Sequence, residues 1–388
     1  MKKNRLIYSS IFSALVLCLA LSHQASVRAL ALTTFMQDAE TVIPLEGLDP
    51  VLLTQGKEVM GNMKIYVMRG RYQYIFANEA NKALFEKSPE RYEIQLQSSC
   101  ARMGPQINGN PDLYSVYQER VYIFGSGECK KLFDAAPEKY LEPASAGPFT
   151  ATPEALREGQ ASIERAVAGM GGAAKIDGLT SLQETGVAVA LQQQKETEYK
   201  IVTTRLFPGY TRQEQARVFG TTAATIIDVY SANDAFEFFK TDTRSNLRSL
   251  SPAARADAMK QNRLNPLDVL RARKQADFKA ALIGRSKAGD TLMVTFDGIS
   301  VRLVIEGTWG HIESISYSGR SRLTGEVGEI TRTFLDYRAV DGLTYPFKII
   351  GSFKGVSDPS QTYRTETLTL NAKIDPALFE KPKTDKAP

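Results

Sequence analysis

Hydrophobic and polar residues alternate with a period of two through most of the second half of the chain. Val301, Leu303 and Ile305 lie on one side of such a segment, with Arg302 and Glu306 on the other. This period is typical of β-strands with one buried face. The segments predicted as strands are 181–193, 198–206, 211–219, 223–230, 234–239, 290–297, 301–306, 311–318, 329–340, 344–354 and 362–374.

Tight turns separate these predicted strands. Phe296-Asp297-Gly298 and Val340-Asp341-Gly342 contain the Asp-Gly pairs that favour antiparallel hairpins. A helical interruption is predicted over 251–274, beginning at the capping residue of Ser251-Pro252. Because one long meandering sheet must curl to bury its apolar face, the second half is predicted to be a curved antiparallel half-barrel that covers helices.

The first half contains an internal repeat. Tyr74-Ile75-Phe76 through Pro89-Glu90-Arg91-Tyr92 returns 48 residues later as Tyr122-Ile123-Phe124 through Pro137-Glu138-Lys139-Tyr140. Each copy alternates around a two-residue turn and continues with helical spacing, which predicts a hairpin followed by a helix. The turn is predicted at Arg69-Gly70 in the first copy and at Gln118-Glu119 in the second. Asn78 and Ser126 are the predicted N-caps of the two helices, and Pro89 and Pro137 mark where the helices end. The fold class is therefore α+β, with a duplicated ββα module before the half-barrel.

The first copy resembles the YHS domain, a small module of copper-handling and exported proteins. The residues that follow its pattern are Asp49-Pro50-Val51, Gly56-Lys57, Tyr74-Ile75-Phe76, Phe85, Pro89-Glu90-Arg91-Tyr92 and Cys100. The resemblance covers about residues 45–105, with a partial second copy to about 143. No histidine lies between residues 24 and 310, so the histidine of the family's name is absent. If the protein is a carrier or sensor, this domain is expected to be its docking or regulatory module, with an envelope protein as its partner.

Residues 143–152 are rich in small residues and proline, which predicts a domain boundary. A helix is predicted to begin at Thr152-Pro153 and to run to about Met170. The predicted domains are a signal peptide (1–31), the duplicated YHS-like domain (32–143), a linker (144–152), the half-barrel (153–383) and a disordered tail (384–388).

The second half resembles the periplasmic lipoprotein-carrier family over about residues 155–383. The resemblance lies in three segments: Arg205-Leu206-Phe207-Pro208-Gly209-Tyr210-Thr211-Arg212, the segment 334–346, and the segment 374–382. That family has an open half-barrel over helices, with an apolar cavity for acyl chains. It implies a lipid or lipoprotein acyl chain as the ligand. Phe207 replaces the family's arginine before the proline, so that residue's gating role does not transfer.

An apolar cavity requires apolar and aromatic lining. The candidate ligand-binding residues are Phe207, Tyr210, Phe219, Phe236, Phe238 and Trp309. Residues 244–287 contain 11 basic and 3 acidic residues, which fits either peripheral contact with anionic lipid headgroups or a solvated helix face.

The first residues have the composition of a secretory leader. Met1-Lys2-Lys3-Asn4-Arg5 is basic, and the apolar run Leu6 to Leu21 is shorter than the roughly 20 residues of a membrane-spanning helix. Ala29-Leu30-Ala31 offers small residues at a cleavage site, so cleavage is predicted after Ala31. The mature chain is therefore expected to be periplasmic or secreted.

Removal of this leader lowers the formal charge from +5 to +1, because it carries four basic residues and no acidic one. A near-neutral chain has little attraction for nucleic acid, and none is predicted as a partner. His311 is the one histidine left, and neither G-x-S-x-G nor H-E-x-x-H occurs. No catalytic residue and no cofactor is predicted.

Cys100 and Cys129 are the two cysteines after the leader. An even number in an oxidising compartment fits one disulfide. Two alternatives stay open: a soft-metal site in which Met103 joins the two thiols to hold Cu(I), or two unpaired thiols. The sequence thus predicts an exported, non-enzymatic carrier or sensor of a lipid or other amphiphile, with a copper-type metal-responsive protein as the alternative.

Overall fold

The computed structural model describes residues 41–142, 149–192, 195–231 and 233–382. The predicted signal peptide, most of the predicted linker and the predicted tail lie outside these residues. The chain forms two compact units that divide between Glu93 and Ile94. The second copy of the repeat is therefore in the same unit as the large sheet. The functional domains at 32–143 and 153–383 stay a prediction, since the compact units divide within the first of them.

The first copy of the repeat folds as a hairpin and a helix. Strands β1 (Asn62–Arg69) and β2 (Tyr72–Phe76) pair antiparallel, and helix α2 (Glu79–Lys87) follows. The short helices α1 (Pro50–Leu53) and α3 (Pro89–Tyr92) flank this unit. The side chain of Asn78 accepts a hydrogen bond from the Asn81 amide at 2.9 Å, so the predicted N-cap is confirmed.

The second copy repeats this arrangement with two additional strands. Its hairpin is β5 (Asn110–Tyr117) and β6 (Arg120–Phe124), its helix is α4 (Gly127–Ala135), and β3 (Ser99–Cys100) and β4 (Gly104–Asn108) complete a sheet of order β4-β3-β6-β5. Gln118 and Glu119 have φ angles of 48° and 56°, as a two-residue hairpin turn of the primed type requires. Ser126 caps α4, as predicted.

The second half forms one open antiparallel sheet, with 13 strands in the described residues. The strands are β7 (Ser181–Gln192), β8 (Lys195–Leu206), β9 (Tyr210–Phe219), β10 (Thr222–Tyr230), β11 (Ala235–Lys240), β12 (Ser245–Ser249), β13 (Lys279–Arg285), β14 (Gly289–Phe296), β15 (Ile299–Glu306), β16 (Ile312–Arg320), β17 (Val327–Val340), β18 (Leu343–Phe353) and β19 (Val356–Leu370). Their order is β12-β11-β10-β9-β8-β7-β19-β18-β17-β16-β15-β14-β13. Two meanders therefore meet where β7, the first strand, pairs with β19, the last. The α+β fold class and the curved, unclosed antiparallel sheet are confirmed.

Two helices cross between the edges of this sheet. The predicted interruption at 251–274 is α7 (Pro252–Asn262) and α8 (Pro266–Ala272), because Asn265 caps a second helix that begins at Pro266. They connect β12 to β13, which are the two edge strands and were not predicted. Two further helices, α5 (Pro153–Gly169) and α6 (Ala173–Asp177), precede the sheet. In the described part of the chain, no helix combines the length and hydropathy of a membrane span.

The main core lies between these helices and one face of the sheet, which we call the inner face. It is the face of β7 that carries Leu182 and of β15 that carries Leu303, both 1% exposed or less. Helix α8 contributes Leu267 and Leu270, and α5 contributes Ile163. Burial of these side chains favours folding by roughly 1.5–3 kcal/mol each.

We expect Gly159→Ala to destabilise the protein. Helix α5 covers edge strand β13, and a Cβ at Gly159 would overlap the carbonyl group of Ala280. The helix or the strand must then shift, which lowers the free energy of unfolding by about 1–3 kcal/mol although alanine is the better helix former. Urea denaturation measures the change. Gly127→Ala in α4 is the matched control, since nothing lies within 4 Å of its Cβ and stability should not fall.

Candidate functional site

The inner face of the sheet is covered unequally. On β14 and β15 its side chains, such as Leu292 and Val301, are 1% exposed or less. On β9 to β11 the inner-face residues Gln215, Ile226 and Phe239 are neighbours across the strands, and they are only half-buried. The pairing of β7 to β11 has no register shift, so alternation assigns these residues to the face that carries Leu182.

We call this half-buried part the open face. Its side chains are Tyr199, Gln213, Gln215, Arg217, Ile226 and Phe239. The Arg217 guanidinium lies over the Tyr199 ring, 4.2 Å from its centroid. Aromatic and aliphatic surface thus alternates with amide and guanidinium donors. A surface of this kind can contact both the apolar and the polar part of an amphiphile.

A buried carboxylate borders the open face. Asp228 on β10 is 9% exposed, accepts a hydrogen bond from Gln215 at 3.1 Å, and lies opposite Glu237 of β11. Burial raises the pKa of Asp228 from 3.8 to about 6, and Glu237 adds to this rise against the opposing charges of Arg322 and Arg248. The pKa of Asp228 therefore lies nearer to neutral pH than the pKa of an ordinary aspartate.

A second buried polar network connects the sheet to α8. Glu184 of β7 accepts hydrogen bonds from the hydroxyls of Tyr345 and Thr365, and burial raises the pKa of its carboxyl. Arg205 of β8 forms an ion pair with Asp268 at the start of α8. Each of these charged groups has a polar partner, so the network is best explained as the structural support that holds α8 against the sheet.

The predicted cavity residues are not brought together. Phe236 is 2% exposed and packs with Val229 and Phe379 on the outer face, where Phe238 also lies. The Tyr210 ring contacts Phe379 with 5.4 Å between centroids. These three predicted residues therefore hold the C-terminal segment against the outer face of the sheet.

The remaining three candidates lie at separate places. Phe207 packs against the main core beneath the Arg271 guanidinium, which is 4.5 Å from its ring. Phe219 and Trp309 are 43% and 71% exposed. As ligand contacts the six stay a prediction. Sequence reasoning missed the open face because Gln213 and Gln215 are polar, although their period-two alternation was the signal.

The basic segment 244–287 is partly neutralised by acidic residues from outside it. Arg248 pairs with Glu237, and Arg273 pairs with Asp177 at 2.7 Å. Arg285 binds Asp290 at 2.8 Å. Membrane contact through this segment stays a prediction, and the paired arginines favour the alternative of an ordinary solvated surface.

The two cysteines lie side by side in the second copy of the repeat. Cys100 on β3 and Cys129 on α4 belong to one buried cluster, and their side chains are within hydrogen-bond contact. Both are thiols in this structure, so the predicted disulfide is not formed in it. Burial raises the pKa of the Cys129 thiol, but hydrogen bonds with Ser126, Arg102 and Cys100 lower it by a larger amount. The pKa of this thiol is therefore below that of an ordinary cysteine.

The three predicted metal ligands also converge here. The Arg102 guanidinium, however, lies between them, with its Nη1 at 3.4 Å from the Met103 sulfur and 3.8 Å from the Cys129 sulfur. A fixed positive charge in contact with two of three donors opposes a Cu(I) ion. The described residues hold no cluster of three or more His, Cys, Asp and Glu side chains suited to a metal. The site therefore does not fit a copper centre.

Comparison with known proteins gives distant likenesses. A scan of protein-family models and a search of curated proteins found no match. A DUF1329 family protein from Desulfovibrio piger ATCC 29098 is 13% identical, with a TM-score of 0.37 over 57% of this chain and 97% of its own. A LolA superfamily protein from Nitrosomonas europaea is 14% identical, with the same coverage and TM-score. A domain from Vibrio parahaemolyticus, named for outer membrane lipoprotein sorting, is 8% identical over 58% and 97%, with a TM-score of 0.35.

We expect Asp228→Asn to stabilise the protein most above pH 6. A carboxyl whose folded-state pKa is raised keeps its proton while the unfolded chain loses it, so wild-type stability falls as the pH rises from about 4 to about 6. An asparagine side chain has no proton to lose, so the variant lacks this fall in stability. Its free energy of unfolding should exceed that of the wild type by at most about 3 kcal/mol above pH 6. Urea denaturation at several pH values measures it.

Asp242→Asn supplies the control, since it makes the same substitution at a carboxyl that is exposed to solvent. A difference between Asp228→Asn and wild type that does not change with pH would mean that Asp228 does not titrate in this range.

Proposed function

We propose that this protein is a non-enzymatic carrier or sensor that binds an amphiphilic ligand, with an acyl chain and a polar head, in the cell envelope. The observation that carries the proposal is the unequal covering of the inner face. The sheet is continuous, yet inner-face side chains such as Leu292 and Val301 on β14 and β15 are fully buried, whereas Gln215, Ile226 and Phe239 on β9 to β11 are half-buried. The predicted leader supports an envelope location.

The chemistry of the open face supports this ligand class. Ile226 and Phe239 are neighbours across β10 and β11 and offer apolar contact to an acyl chain. Gln215 and Arg217 lie on the same face and offer hydrogen-bond donors to a polar or anionic head. In the described part of the chain, Arg217 forms no ion pair with a carboxylate. Its guanidinium lies over the Tyr199 ring. An anionic head would supply the missing charge.

Binding of a dansyl-labelled fatty acid tests the proposal. Full-length protein freed of bound lipid should show a saturable rise in dansyl fluorescence. We expect Ile226→Glu to weaken binding by about tenfold or more, because it puts a charge where the acyl chain would lie. Circular dichroism checks that the variant is folded.

Thr225→Glu is the matched control. Thr225 is the preceding residue of β10, is also half-buried, and lies on the outer face. We expect its affinity to stay within about twofold of wild type, since the charge then lies on the far side of the sheet. The proposal fails if the wild-type protein shows no saturable uptake, or if the two substitutions weaken binding equally.

A further inference from the structure

The two copies of the repeat carry different chemistry at one equivalent place. Leu48 bridges to Met60 in the first copy, and Ser99 pairs with Asn108 in the second. The residues that follow, Asp49 and Cys100, are therefore equivalent.

The helical partners of these residues are also equivalent. Asn81 and Cys129 each donate the backbone amide that the N-cap side chain accepts, from Asn78 in the first copy and Ser126 in the second. The pair Asp49 and Asn81 thus corresponds to the pair Cys100 and Cys129.

In the first copy this place holds a fixed hydrogen-bonded pair. The Asn81 side-chain amide donates to the Asp49 carboxylate at 2.7 Å, and Asp49 is fully buried. The same carboxylate accepts from the amides of Ala77 at 2.8 Å and Val51 at 2.9 Å. Satisfied in this way, the pair holds the start of α1 against α2 and has no reactive group.

In the second copy the same place holds two sulfurs and a cation. The Met103 amide donates to the Cys100 sulfur at 3.5 Å, and the Arg102 guanidinium contacts the Cys129 sulfur at 3.8 Å. The Nε atom of Arg102 is buried and has no hydrogen-bond partner among the residues that the structure describes. A guanidinium in this position stabilises a thiolate on Cys129, and a thiolate is the nucleophilic form of cysteine.

We propose that Cys129 and Cys100 are a peroxide-reactive thiol pair, in which Cys129 is oxidised first and Cys100 then forms a disulfide with it. The Cys129 thiolate attacks one oxygen of a hydroperoxide, the O–O bond breaks, and the leaving alkoxide or hydroxide takes up a proton from water. This gives a sulfenic acid on Cys129. The Cys100 thiol then attacks the Cys129 sulfur, its proton leaves with the hydroxyl as water, and the disulfide forms.

The burial of the pair selects a small oxidant. Cys129 is 7% exposed and Cys100 is fully buried, so hydrogen peroxide can reach the first sulfur more easily than a peptide disulfide can. Since the two cysteines already belong to one buried cluster, the second step needs no large movement of the chain. The inference depends on the thiol pair alone and is independent of ligand binding at the open face.

The test is oxidation of the reduced full-length protein with hydrogen peroxide, followed by alkylation and tryptic peptide mapping. Cleavage after Arg102 and Lys130 separates the two cysteines, so their disulfide appears as a linked pair of peptides. We expect this linked pair in the wild-type protein and its loss on reduction. In Cys100→Ser, oxidation should stop at a sulfenic acid on Cys129 that dimedone traps. In Cys129→Ser, Cys100 should stay unmodified.

Two further variants separate reactivity from folding. Arg102→Met should slow the oxidation of Cys129 by about five- to tenfold, and Arg102→Lys should restore part of the rate because it keeps the charge. The double variant with Cys100→Asp and Cys129→Asn copies the pair of the first repeat, so it should fold and consume no peroxide at this site.

Three results would overturn the inference. They are a folded wild-type protein that forms no linked peptides, a Cys100 that reacts before Cys129, and an oxidation rate that Arg102→Met leaves unchanged.

Discussion

The need to cover the inner face of a long open sheet is the constraint on which the rest of this structure depends. An antiparallel sheet of this length does not close, so its apolar face must be covered by other elements. Here the chain leaves the sheet at one edge strand, β12, and returns at the other, β13, and the helices between them cross the inner face. Helix α8 is held there by the Arg205 and Asp268 ion pair. These helices are too short to cover every strand, and the part that they leave half-buried is the candidate binding surface.

The two parts of the inner face also differ in how their buried carboxyls are paired. A carboxyl that is buried without a full set of partners costs free energy unless it keeps its proton, and Asp228 reflects this with a raised pKa. By contrast, Asp290 accepts hydrogen bonds from Arg285, Ser162 and Arg165, and its pKa is lowered to about 2. The first group lies beside the open face, whereas the second anchors α5 to the sheet. Incomplete pairing thus distinguishes a candidate binding region from a structural ion pair.

Duplication has given the first part of the chain two modules with one backbone plan. Both modules need a glycine where Ile75 or Ile123 approaches, since a Cβ at Gly61 or Gly109 would overlap that side chain. The equivalent pair differs between the modules although it is buried in both. One module has a carboxylate and an amide, and the other has two thiols beside a guanidinium. The shared plan makes each module a control for the chemistry of the other.

The sequence alone determined the local structure of this protein. Alternation of period two identified most strands, Asp-Gly pairs identified the hairpins, and Asn78, Ser126 and Thr152 identified the helix starts, because each of these signals acts between residues close in the chain. It missed β12 and β13, whose short mixed sequences are strands only because a neighbour pairs with them. The tertiary structure alone decided which aromatic residues face outward, as Phe236 does, and which polar ones line the inner face, as Gln215 does. It also decided that Cys100, Arg102 and Cys129 meet. These outcomes depend on the face that each strand presents to a distant part of the chain, and no local pattern records that choice.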